Sequence, residues 1–213
     1  FVGAGRSELA QALFGLRSLS SGSVSVDGSP AAPRSPREAL RMGIAYLPED
    51  RLVQGIFRNH SVRSNASVAL LPRISSWSWI SSARETRLAN DIVRDMRVRA
   101  RSIEQPIGTL SGGNQQKAIL ARGLVTKPKV LILHEPTRGI DVGAKEEIYA
   151  ILAALASEGM AVMMISSELP EIVLHSSRVL VMERGRVAAT FRGAEITEEA
   201  IMQAALGQLA VAA

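Results

Sequence analysis

Val130-Leu131-Ile132-Leu133-His134-Glu135-Pro136-Thr137 reads as a strand that ends on an acid and a proline. Four consecutive apolar residues, without alternation, fit a strand buried on both faces in a parallel sheet. The Glu135 carboxylate would then stand beyond the carboxyl end of that strand, where open α/β sheets bind their ligands. Downstream the chain keeps alternating: a helix at 143–157, a strand at 161–165, a short helix at 168–174, strands at 178–182 and 186–191, and a helix at 197–206. Upstream lie helices at 112–125, 35–42 and 7–16, with strands at 44–47 and 23–26, the last stopped by Asp27-Gly28. Strand–helix alternation predicts an α/β fold with a mostly parallel sheet flanked by helices. A small antiparallel β portion is expected near 22–28. Residues 52–109 break the rhythm with a Ser-rich stretch and an amphipathic helix over about 83–98, and read as a helical lobe inserted in a single domain spanning 1–213.

Composition narrows the function classes. The 213 residues hold no cysteine, which removes disulfides and thiolate metal sites and suits a reducing compartment. The longest apolar run, Ile148–Ala156, has nine residues, far short of the ~20 that a membrane helix needs. The net charge is 25 − 20 = +5, but the basic residues are scattered and mostly Arg, which describes a solvated surface rather than a nucleic-acid footprint. Trp77 and Trp79 either face a membrane partner or cap the core of the lobe. His60, His134 and His175 share no ligand spacing, so zinc is not expected.

Two glycine-rich segments carry chemistry. Gly3-Ala4-Gly5-Arg6-Ser7 precedes the first helix and matches the end of a phosphate-loop pattern, with Arg6 where that pattern has Lys. Glycines there let backbone N–H groups face a phosphate, and the helix N-terminus adds its dipole. The leading glycine of the pattern would precede residue 1, so the chain reads as entered inside the loop. Leu110-Ser111-Gly112-Gly113-Asn114-Gln115-Gln116-Lys117 offers a second anion cradle at a helix start.

Taken together these residues resemble the nucleotide-binding domain of an ABC transporter, a phosphate-loop NTPase-like fold, over essentially the whole chain. Residues 110–117 look like the family signature, Arg138-Gly139-Ile140-Asp141 like its D-loop, Glu49 stands at the Q-loop glutamine and Ser167 at the switch histidine. Pro48-Glu49-Asp50-Arg51 and Ser166-Ser167-Glu168-Leu169-Pro170-Glu171 are similar to the second ATPase half of ribose-, xylose- and galactose-type importers. The resemblance implies ATP and Mg²⁺ as cofactors, with Gly3, Ala4, Gly5, Arg6 and Ser7 on the phosphates and Ser7 and Glu49 on the metal side. Glu135, Glu49 and Ser167 take the catalytic positions. Ser111, Gly112 and Gly113 serve the nucleotide of a partner half, and Asp141 of the D-loop is a further nucleotide-binding position.

The implied partners are an N-terminal ATPase half in the same or a paired chain, membrane permease subunits and, indirectly, a periplasmic or lipoprotein sugar-binding protein, with no nucleic acid. The implied location is the cytoplasmic face of the inner membrane, held peripherally. Four positions depart from an intact site: Arg6 for Lys, His134 for the metal-holding Asp, Glu49 for Gln and Ser167 for His. A neutral imidazole nitrogen replaces a hard anionic oxygen at 134, and a hydroxyl replaces an acid/base at 167. These changes imply a weak or silent ATP site in this half. Two other readings remain open: a regulatory half that never hydrolyses, and a soluble ATPase of translation or repair.

Overall fold

The computed structural model describes residues 3–76 and 79–208. Helix α1 (Arg6–Leu13) follows directly on the glycine loop, and the hairpin β1 (Ser25–Val26) and β2 (Ser29–Pro30) is shorter than the predicted strand at 23–26. Helix α2 (Pro36–Arg41) starts where its chemistry says: the Ser35 hydroxyl accepts from the Glu38 amide, Pro36 fills the first turn, and Glu38 reaches back to the Arg34 N–H.

Strand β3 (Ile44–Leu47) is followed by a π-turn at Arg51–Gly55, which the Asp50 carboxylate caps through the amides of Leu52 and Val53. The lobe holds α3 (Val62–Ser67), α4 (Leu71–Ile74), the short strands β4 (Ser75–Ser76) and β5 (Trp79–Ile80), and α5 (Ser82–Asp95). Helix α5 stops short of the predicted Val98. Arg97 adopts φ 49°, a left-handed turn that ends the helix and lets Met96 and Val98 both point into the core. Trp79 is 81% exposed and therefore caps no core, while Trp77 lies outside the described residues.

From α6 (Gly112–Leu124) the chain runs through β6 (Val130–His134), α7 (Val142–Ser157), β7 (Ala161–Ile165), α8 (Leu169–His175), the antiparallel pair β8 (Arg178–Glu183) and β9 (Arg186–Arg192), and α9 (Glu198–Ala205). The central sheet is parallel in the order β3–β6–β7, with Leu133 paired to Leu47 on one side and to Met164 on the other. Strand β6 is thus hydrogen-bonded along both edges, and Leu131, Ile132 and Leu133 are fully buried, as the unbroken apolar run requires.

Most of the buried apolar side chains described in the lobe join the central core. Ile56, Val62, Ala66, Ile92, Met96, Val98 and Ile107 join Leu47, Leu131, Leu133 and Ile148 in one contiguous cluster through α6. A second cluster lies on the other sheet face against α1 and α2, and a third between the β8–β9 pair and α8 and α9.

Truncating the centre of this arrangement should be costly. Leu133→Ala should destabilise the fold by about 2–5 kcal/mol, the range for a fully buried Leu that leaves a cavity. A urea-denaturation difference below about 1 kcal/mol would contradict a close-packed β6.

Candidate functional site

The carboxyl end of the central sheet gathers most of the singled-out residues. Immediately after β6, Glu135 turns with φ 50°, an unusual conformation for a non-glycine residue, and its N–H donates to the Ile165 carbonyl at 2.7 Å. That bond ties the end of β6 to the end of β7. The Ser167 hydroxyl donates to the Glu135 carboxylate at 3.2 Å, so the two are brought together. The Arg6 guanidinium donates from Nη1 to the Ser166 carbonyl at 3.0 Å, linking the glycine loop to the same turn.

The loop itself is locked from below. Gly3 and Gly5 sit at φ 83° and 93°, and a Cβ on Gly5 would come within 2.9 Å of the Gly185 Cα in the β8–β9 turn. The Gly185 N–H donates to the Ala4 carbonyl at 3.0 Å. Glycine at position 5 is therefore required by both its φ and its neighbour. Ser7 lies in the first turn of α1, partly exposed.

Glu49 is committed elsewhere than the sequence suggests. Its carboxylate accepts from Arg138 Nη1 at 3.0 Å and lies 3.5 Å from His134 Nε2. His134 is buried, and desolvation lowers its imidazole pKa despite the opposing pull of Glu49 and Glu135. It is therefore a neutral group at neutral pH. The nearby Tyr46 phenol is pushed up, first by burial and then by the Glu49 charge.

The signature residues form a second group. Gly112 and Gly113 open α6, and Gly113 packs against α7 so tightly that a Cβ would fall 2.4 Å from the Ala144 Cβ. Exposed Ser111 accepts from Asn114 Nδ2 at 2.9 Å. Asp141 caps α7, its carboxylate accepting from the Ala144 N–H at 2.9 Å. Arg51 joins the two groups, donating to Gln115 at 3.1 Å and to the Arg138 carbonyl at 3.4 Å. No reading of spacing marked Arg51 and Arg138 as linkers, because their partners lie 64 and 89 positions away.

The chemistry of the first group suits an anion: two left-handed glycines and an arginine stand at a helix N-terminus, and Arg6 ties them to the turn that carries Ser167, the partner of Glu135. For a magnesium ion, which keeps several waters and leans on substrate phosphates, Ser7 at the start of α1 is the available protein ligand, since Glu49, expected on the metal side, is paired with Arg138.

Fold and motifs thus define an α/β domain whose glycine loop and post-strand turns gather at the carboxyl ends of parallel strands. Residues 2–138 match the ABC transporter family, and the chain belongs to it as an ATPase domain. It is 48% identical over 206 residues to a ribose import ATP-binding protein of Rubrobacter xylanophilus, spanning 97% of this chain and 40% of that protein. A ribose import ATP-binding protein of Shouchella clausii is 47% identical over 206 residues, 97% of this chain and 41% of that protein. The chain therefore spans about two fifths of the length of the curated relatives it matches. Its fold is that of a nucleotide-free ATP-binding cassette from an ABC transporter, with TM-score 0.79 and 21% identity over 97% of this chain and 81% of the other.

The state of His134 gives a pH test. Because its folded pKa is lowered below the unfolded value of ~6.5, the unfolded chain takes up the proton first as pH falls. Its contribution to stability is full above that value and is lost on acidification through it. His134→Gln should therefore flatten the fall in melting temperature between pH 7 and 5. An unchanged slope would show that His134 is not held neutral.

Proposed function

We propose that this domain binds ATP at Gly3–Ser7 and works as one of two ATPase halves that energise import of ribose or a related monosaccharide, its own site being weak or silent in hydrolysis. The single observation that carries the silent-site reading is the Glu49 carboxylate, paired with Arg138 and 3.5 Å from the neutral His134, where an intact site would place a neutral amide beside a metal-holding carboxylate. Two unlike changes, Glu for Gln and His for Asp, sit within 3.5 Å of each other and alter the same corner. The relatives are named for ribose import, which supports the substrate class. Their greater length leaves room for another ATPase half, and the likeness of residues 48–51 and 166–171 to second-half motifs supports placing this chain second.

In this reading Ser7 and the phosphates themselves hold most of any bound Mg²⁺, and Glu135 stands at the base position with Ser167 as its hydrogen-bond donor. Ser111, Gly112 and Gly113 complete the nucleotide site of the other half, as their place in the signature motif at the start of α6 implies. Asp141, which caps α7, lies beside Gly113: a Cβ there would stand 3.8 Å from its Oδ2. Permease subunits and, through them, a sugar-binding protein are the remaining partners. The location is peripheral, on the cytoplasmic face of the inner membrane; none of the described helices is long and apolar enough to cross it.

Phosphate release by the reconstituted full transporter tests these roles. Ser111→Arg should lower transport-coupled turnover by roughly 10² or more, the scale of losing a transition-state donor. Glu135→Gln should cost far less. If Glu135→Gln abolishes turnover and Ser111→Arg leaves it intact, the roles are reversed and this half is the active one.

A further inference from the structure

Glu171 is a buried carboxylate that the proposed chemistry does not use. It is 9% exposed and sits in α8, behind the Ser166–Glu168 turn. Four groups converge on it. Thr137 Oγ1 donates to Oε2 at 2.7 Å, Tyr149 donates to the same oxygen, Lys145 Nζ donates to Oε1 at 2.8 Å, and Ser166 Oγ stands at 3.4 Å. The donors come from three places: the turn after β6, helix α7 and the turn after β7.

Burial alone would raise the pKa of Glu171, but donation from Lys145, Tyr149 and Thr137 outweighs it and holds the group below the ordinary carboxylate value. It is therefore an anion at neutral pH. The hub is also braced outside. Lys145 binds both oxygens of Glu168 at 2.9 and 2.7 Å, the Glu168 N–H donates to Ser166 Oγ at 3.0 Å, and Tyr149 stacks on His175 with ring centroids 3.8 Å apart.

Both turns that this hub joins carry a group at the phosphate site. Thr137 follows Glu135 by two residues, and the Ser166 carbonyl accepts from Arg6 Nη1. Ser167, the partner of Glu135, is the next residue. An anion with several charge-assisted or neutral donors on its two oxygens sets the spacing of those donors far more tightly than apolar packing would.

We propose that Glu171 is a positioning residue for the nucleotide site, acting through Ser166 to hold Arg6 and, through the Thr137 turn, to hold Glu135 against Ser167. The proposal rests on the reading of Gly3–Ser7 as an ATP site. It deepens that reading by naming what orients the arginine that replaces lysine. Loss of the hub frees the Ser166 turn and so removes one of the contacts that orient the Arg6 guanidinium toward the phosphates. The effect falls on the outer phosphates and leaves contacts to the nucleoside unchanged.

The test uses the full-length protein in two measurements. In the first, binding of ATP and of AMP is titrated for wild type, Glu171→Gln, Arg6→Ala and the double variant. Glu171→Gln is expected to weaken ATP binding about tenfold with AMP binding unchanged, and to add little on top of Arg6→Ala, because the first acts through the second. Effects of the two substitutions that multiply, or an ATP affinity of Glu171→Gln equal to wild type, would overturn the proposal.

In the second, hydrogen exchange of the nucleotide-free protein is followed residue by residue. The Glu168 amide and the Ala4–Ser7 segment should exchange at least fivefold faster in Glu171→Gln, with α9 unchanged. Unchanged exchange at both places would equally overturn it. This second readout holds even if wild type fails to bind ATP, a result that would sink the ATP-site reading alone. Tyr149→Phe, which removes one donor and keeps the ring over His175, should move every quantity in the same direction by a smaller factor. It decides the matter if Glu171→Gln does not fold.

Discussion

The pairing of β6 along both of its edges is the constraint on which the rest depends. A strand hydrogen-bonded to β3 and β7, and apolar on both faces, has no freedom of register. Its last residue and the left-handed Glu135 beyond it are therefore placed to within the tolerance of the sheet. Everything chemical is then hung from that end: Glu135 bonds across to Ile165, Ser167 bonds back to Glu135, and Glu49 comes from the end of β3 beside His134. The helical lobe is fastened to the same strand, because Leu131 and Leu133 belong to the cluster that holds α3 and α5.

Polar links then give the sheet edge its direction. Arg6 and Arg138 each cross between segments far apart in sequence, one to a carbonyl and one to a carboxylate. Arginine suits both tasks because its planar fork fixes orientation as well as charge. Helix α7 is the common beam. Its N-terminus packs on Gly113, its Glu147 accepts from buried Lys117 of α6 at 2.8 Å, and its Lys145 and Tyr149 hold Glu171. The signature end of α6 and the turn after β7 are thus both referred to one rigid element.

The fold was largely legible in the sequence, and the reasons are local. The run Val130–Leu133, the capping chemistry at Ser35-Pro36-Arg37-Glu38 and the glycines around α1 each specify their element without help from distant residues. Boundaries were read less well where tertiary packing decides them, as at Arg97, whose left-handed turn serves the burial of Val98. The site was legible as a set of motifs, of which the structure links Ser167 to Glu135 and Arg6 to the neighbouring Ser166, while Glu49 is paired with Arg138. The wiring of the site was not. Nothing in the spacing of Thr137, Tyr149 and Glu171 announces a shared carboxylate, since α7 and β7 intervene between the partners. Nor does any pattern tell that Glu49 pairs with Arg138 rather than facing open solvent.

The central claim is that this domain holds its own nucleotide without cleaving it while lending its signature to a neighbour. The most direct measurement is photolabelling of the working transporter with azido-ATP labelled on both the base and the γ-phosphate, followed by isolation of the labelled peptides. The account predicts that nucleotide attached to this domain keeps its γ-phosphate through several turnover times. Recovery of diphosphate on this domain, formed at the rate of overall turnover, would contradict it.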